Sequence, residues 1–156
     1  MRYLFTLLLL SFLALPGFAA ADTDTQVISP VKNSVEDIRR MADAGNARAQ
    51  NALAVLYSDG GRGVEKDEAA AFALYTKSAQ QGYAPAQLNL GTFYLKGRGV
   101  PQSDVEACFW YSLAFRGGDK LAPLLVERAA KKLTREQTAA LEKRVAEWQP
   151  TPAETP

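Results

Sequence analysis

The chain has 156 residues, with 18 Lys and Arg against 17 Asp and Glu, no histidine and one cysteine. A formal net charge of +1 argues against binding a nucleic-acid backbone, which is driven by many cationic contacts. The single cysteine allows no intramolecular disulfide, and without histidine there is no Ser-His-Asp or Cys-His nucleophilic site and no ordinary zinc set.

The opening segment MRYLFTLLLLSFLALPGFAAADTD has the three parts of a secretory leader: Arg2, an apolar stretch from Leu4 to Leu15, and the break at Pro16-Gly17 before small residues. The stretch is about a dozen residues long, too short for a helix to cross a hydrocarbon layer of ~30 Å. Residues 1–21 are therefore expected to be a signal peptide, cut after Ala21 or alternatively after Ala19; an uncleaved anchor is the other reading. No cysteine follows the stretch to take a lipid. A periplasmic or secreted location is expected, with no membrane insertion after signal cleavage. The absence of an N-x-[ST] sequon fits a bacterial periplasm better than a eukaryotic secretory route. About 135 residues then remain, enough for one modest domain. Its expected layout is a flexible linker over 22–33, a helical domain over 34–148 and a disordered tail over 149–156.

Internal repetition organises the domain. Residues ARAQNALAVLYSDGGRGV align with APAQLNLGTFYLKGRGV, so that Ala47/Ala84, Ala49/Ala86, Gln50/Gln87, Leu53/Leu90 and Tyr57/Tyr94 correspond at an offset of 37. After the loop the offset falls to 36, because the first copy holds one extra glycine, and Gly63/Gly99, Val64/Val100, Ala71/Ala107, Tyr75/Tyr111 and Gly82/Gly118 correspond. A leading half copy, VEDIRRMADAGN, places Ala42 and Gly45 opposite Ala79 and Gly82.

Each copy reads as two helices. Leu53, Leu56 and Tyr57, or Leu90, Phe93 and Tyr94, form one apolar stripe at helical spacing. Asn46 suits the cap of the first helix in copy one, and Pro85 the opening turn in copy two. The second helix starts at Asp67 or Ser103. It carries Phe72, Leu74, Tyr75 and Ala79, or Phe109, Trp110, Tyr111 and Ala114. Gly82 and Gly118 sit where a helix end takes a left-handed residue. From Asp119 a terminal helix pair is expected to cap the array, because one face of a last unit meets solvent. Leu121, Leu124, Leu125 and Ala129 form its first inward stripe, with Pro123 near the start. Thr134 and Gln137 make a capping box for a last helix turning Leu141, Val145 and Trp148 inward.

The pattern A-x-A-Q-x-x-L-x-x-x-Y, then G-x-G-V, then A-x-x-x-Y and a final G, closely resembles the Sel-one-like repeat, a relative of the tetratricopeptide repeat. The resemblance spans residues 35 to 119, with Trp110-Tyr111 at a pair position of the family. It implies an all-α fold, a right-handed α-solenoid of antiparallel helix pairs. It also implies a protein-interaction scaffold of a kind commonly exported by bacteria.

Residue chemistry fits a scaffold. The GRGV loops lack the G-K-[ST] arrangement of a phosphate cradle, no strand precedes them, and Pro101 removes a donor. Their glycines read as turn makers, with Val64 or Val100 tucked beneath the helices. Cys108 reads as a small buried hydrophobe; an intermolecular disulfide or a reactive thiol are the alternatives. The run Glu65-Lys66-Asp67-Glu68 and the pairs Lys131-Lys132 and Lys143-Arg144 read as solvated helix faces. No catalytic residue, cofactor or metal is expected.

By analogy with tetratricopeptide packing, the first helix of each copy lines a concave groove. The candidate partner-binding residues are Arg48, Asn51, Val55, Ser58 and Asp59 in copy one and Leu88, Thr92, Leu95 and Lys96 in copy two. Leu88 and Leu95 are expected to be exposed there unless the terminal segments cover them. The expected function is a non-catalytic adaptor that takes a protein or peptide partner. An immunity-type protein neutralising an exported toxin or envelope enzyme is one alternative, and a structural accessory of an envelope export machine is the other.

Overall fold

The computed structural model describes residues 34–152; the expected leader, the linker and residues 153–156 lie outside them. Seven helices follow one another among the described residues: α1 (Val35–Asp43), α2 (Ala47–Asp59), α3 (Glu68–Gln80), α4 (Ala84–Lys96), α5 (Asp104–Arg116), α6 (Ala122–Ala130) and α7 (Arg135–Glu147). Their boundaries follow the capping chemistry of the sequence. Asn46 Oδ1 accepts from the Ala49 N–H at 2.9 Å, Asp67 Oδ1 from the Ala70 N–H at 2.9 Å, and Ser103 Oγ from the Glu106 N–H at 3.2 Å. At α7 the capping box closes in both directions between Thr134 and Gln137. After α1, α3 and α5 the chain turns through Gly45, Gly82 and Gly118, whose φ values of 82°, 86° and 87° only glycine adopts without strain.

Helix pairs α2/α3 and α4/α5 are the two repeat units, and each helix from α2 to α6 packs on the one before it. The main core joins Ala71, Tyr75 and Ala79 of α3 with Leu90 and Phe93 of α4 and with Ala107, Phe109, Tyr111 and Leu113 of α5. A smaller cluster of Ile38, Ala42, Ala49 and Leu53 seats α1 on α2. Units are also laced by buried polar groups. Gln50 Nε2 donates to Ala42 O (3.2 Å), and its counterpart Gln87 Nε2 donates to Ala79 O (3.1 Å). Each amide satisfies a carbonyl at the end of the preceding helix. Within unit two, α4 and α5 approach so closely at Gly91 that a Cβ there would lie 2.7 Å from the Tyr111 ring.

Three expectations change. Leu121 and Leu124 do not face the core: they are 66% and 68% exposed. Ala129 is buried and Leu125 packs on the core as expected, but they are joined there by Ala122 and Val126 rather than by Leu121 and Leu124. Both phases satisfy helical spacing, and the one with Ala122 lets α6 close tightly on α5. The terminal helices also do not form a hairpin like the units before them. Both α6 and α7 pack on α5, leaving between them an apolar cleft of about 470 Å³ beside Cys108, Val126 and Leu141. Finally, the tail expected to be disordered from residue 149 follows a defined course to residue 152. The Thr151 N–H donates to Gln80 O at 2.8 Å, while Trp148 and Pro150 lie over Gly82. The bond satisfies a carbonyl left open at the end of α3.

Candidate functional site

The first helices α2 and α4 are bridged by a 3.1 Å bond from Asn89 Nδ2 to Asn51 Oδ1. Of the sequence-predicted site residues, Arg48, Val55, Asp59 and Lys96 are exposed, Val55 only to 37%. Asn51 is half-buried and committed to Asn89. Thr92 is half-buried, donates to Leu88 O and shares a 3.1 Å bond with the Tyr111 hydroxyl. Leu88 and Leu95 are half-buried against the main core rather than exposed. Ser58 is buried, 5% exposed, and is not part of a binding surface.

What occupies Ser58 explains the repeated loop. Arg98, from the second GRGV turn, reaches back into unit one and donates from Nη2 to Ser58 O (3.0 Å) and Ser58 Oγ (3.1 Å). Its Nε donates to Glu68 Oε1 at 2.9 Å, and its guanidinium stands 4.6 Å from the Phe93 ring centroid. The arginine of the second loop is a clasp between units, with Nε and Nη2 both spent on residues of unit one. Sequence reading missed this because the spacing of Arg98 and Ser58, forty positions apart, carries no periodic signal. Gly99 allows the approach: a Cβ there would meet Glu68 O at 2.6 Å. Val64 is buried beneath its loop, whereas Val100 is half-buried.

No reactive centre emerges around the other titratable groups. Cys108 is 1% exposed, its Sγ faces Val126 O at 3.9 Å, and burial raises the thiol pKa, which disfavours the thiolate. The Glu68 carboxyl is held below its ordinary value by hydrogen bonds from Lys66 and then Arg98. Arg144 forks onto both carboxylate oxygens of Glu106 and stacks on Phe109 at 3.8 Å, which pins α7 to α5. Among the described residues no cluster of three or more His, Cys, Asp or Glu is placed to hold a metal ion. No helix among them is long and apolar enough to cross a membrane.

The two units match the family model of the Sel1 repeat over residues 47–83 and 84–119. A crystal structure of a Sel1 repeat protein from Oxalobacter formigenes is 37% identical, with a TM-score of 0.58, covering 60% of this chain and 70% of that one. The chain belongs to the Sel1 repeat family. Sel1 repeat proteins generally act in protein–protein interaction, and their all-α repeat fold is typically a scaffold. The Sel1 units here also resemble c5321, described as a protective antigen present in uropathogenic Escherichia coli strains displaying an SLR fold. That similarity is 31% in identity with a TM-score of 0.68, over 74% of this chain and 26% of c5321. This Sel1 protein thus spans about a quarter of the length of c5321. No curated protein matches it significantly.

Proposed function

We propose that this Sel1 repeat protein is a non-catalytic adaptor, exported to the periplasm, that holds a protein or peptide partner against the face lined by its first helices. One observation carries the reading: α2 and α4 are joined edge to edge through Asn51 and Asn89, so their outer residues form one continuous surface. Arg48, Val55 and Lys96 stand exposed on it. The absence of histidine from the sequence and the burial of Cys108 favour a binding role over a catalytic one. Export rests on the leader-like segment around Leu4 to Leu15 and the small residues up to Ala21.

Two measurements test this. A photo-crosslinking residue at Val55 should trap a partner in cells, whereas one at the exposed Ala73 on α3 should not. Capture from position 73 alone would overturn the choice of face. Fractionation with intact-mass analysis should find a periplasmic chain beginning at Asp22 or Ala20. An uncut chain in the cytoplasm would overturn export.

A further inference from the structure

The exposed leucines of α6 belong to the same lattice as the first helices of the repeat units. At an offset of 36, Gly82 is answered by Gly118, both with left-handed φ, and buried Ala86 is answered by buried Ala122. Val126 answers Leu90, and both pack in the main core. The cap helix α6 therefore occupies the position of the first helix of a third unit. Three outward rows then run across the molecule: Arg48–Pro85–Leu121, Asn51–Leu88–Leu124 and Val55–Thr92–Arg128. The Tyr111 hydroxyl marks the last row physically, because it bonds Thr92 and lies close enough to Arg128 for that charge to favour its ionised form.

These nine positions hold two arginines and no carboxylate. Neither Arg48 nor Arg128 forms an ion pair among the described residues. By contrast, Lys131, Lys132 and Arg144 of the same cap region are paired with Glu127, Asp104 and Glu106. The carboxylate nearest in sequence to Leu121, that of Asp119, is already taken by the N–H groups of Leu121 (2.8 Å) and Ala122 (3.1 Å). Asp59 lies at the other end of the face, on the last turn of α2. Leu121 and Leu124 are the most exposed large apolar side chains among the described residues. Exposed Leu121 and Leu124, with half-buried Leu88 beside them and unpaired cations on either side, are complementary to an apolar side chain flanked by carboxylates.

We infer that Leu88, Leu121 and Leu124 form the anchor of the binding face, and that its occupant is an acidic, extended segment of a partner protein seated between Arg48 and Arg128. The inference rests on the proposed use of the first-helix face and adds the chemistry of the partner. Two helix spacings across and two helical turns along separate the arginines, roughly 22 Å in all. An extended segment of about six residues covers that span, with an apolar residue over Leu124 and a carboxylate toward each end.

The test uses the full chain and a random dodecapeptide display library as the probe. Enriched peptides are synthesised and titrated by fluorescence anisotropy against the parent chain and against L124D, R128E, R48E, V55D and A73D. Far-UV circular dichroism checks that each variant is folded. The expected peptides are acidic with a central apolar residue. L124D and R128E should weaken them by about tenfold or more, A73D should not, and added salt should lower affinity. Neutral or basic peptides, or unchanged binding to L124D and R128E, overturn the inference. If V55D alone abolishes binding, the face is right and the anchor wrong; if A73D alone does, the face itself is wrong. Self-association lost in L124D would make a second copy of the chain the occupant and would also overturn it.

Discussion

Arg98 and Ser58 are joined across the repeat boundary by two bonds from one guanidinium nitrogen, at 3.0 Å to the carbonyl oxygen and 3.1 Å to the hydroxyl of Ser58. Ser58 lies near the end of α2, and its carbonyl is one of those a helix leaves without an internal partner. The arginine thus completes the previous unit from outside it.

Replacing Arg98 by Ala should leave the Ser58 carbonyl without a partner, while the hydroxyl keeps its bond to Asp59. The expected loss of stability is about 1–3 kcal/mol, read as a lower urea midpoint. Arg98→Lys should recover part of it, since an ammonium cannot bond Ser58 and Glu68 together in the same planar fork. A midpoint unchanged in Arg98→Ala would show that the clasp contributes nothing.

Gly91→Ala should push α4 and α5 apart. The added methyl would sit 2.7 Å from the Tyr111 ring and 3.1 Å from Ala107 O, neither of which can swing away. Overpacking of this kind costs about 1–3 kcal/mol, visible as a lower Tm. Gly61→Ala is the comparison, because its Cβ would meet only Leu56 Cδ2 at 3.8 Å. It should be close to neutral.

Cys108 should resist thiol reagents in the native protein. It is 1% exposed and burial raises its pKa, so both access and thiolate are lacking. Labelling with a disulfide reagent should proceed only as fast as the cleft between α6 and α7 opens, and should become rapid in urea. Fast stoichiometric labelling without denaturant would contradict the packing of α6 on α5.

The pH dependence should be flat in the middle and fall at the ends. There is no histidine to titrate near neutrality. Tyr75 is pushed up to about 12, first by burial and then by the Asp59 carboxylate. Its raised folded pKa favours the neutral phenol, so this stabilisation is complete below about pH 10 and disappears as pH rises to about 12. Tyr94 and Tyr111 are raised by burial in the same direction. Asp37 and Glu68 are lowered by hydrogen bonds, so their contribution is present above the ordinary carboxylate range and lost as pH falls. Urea midpoints should therefore hold from about pH 6 to about pH 9. Tyr75→Phe should make the alkaline fall shallower; a fall equal to that of the parent chain would refute the assignment.

The repeat register, the helices and the caps of α2, α3, α5 and α7 were legible in the residues, because they depend on neighbours a few positions away; the Ser34 cap of α1 was not read. Asn46, Asp67, Ser103 and Thr134 each bond an N–H three residues on, and duplication of the pattern removed ambiguity about where each helix begins. The loop glycines were legible for the same reason. Which leucines stay exposed was not. Leu88 and Leu95 sit on the expected face yet lean against the core, while Leu121 and Leu124 satisfy an inward spacing yet face solvent.

The amino-acid sequence by itself determined that this chain is a stack of helix pairs, since local capping, turn chemistry and period all point the same way. Only the tertiary structure decided which apolar side chains the stack consumes and which it leaves over. The stripe of α6 can be read in two phases, and the choice went to Ala122 and Val126 over Leu121 and Leu124 because α5, not α6 itself, sets how close the helices come. The same long-range packing carried Arg98 to Ser58 and left Arg48 and Arg128 without a carboxylate partner among the described residues.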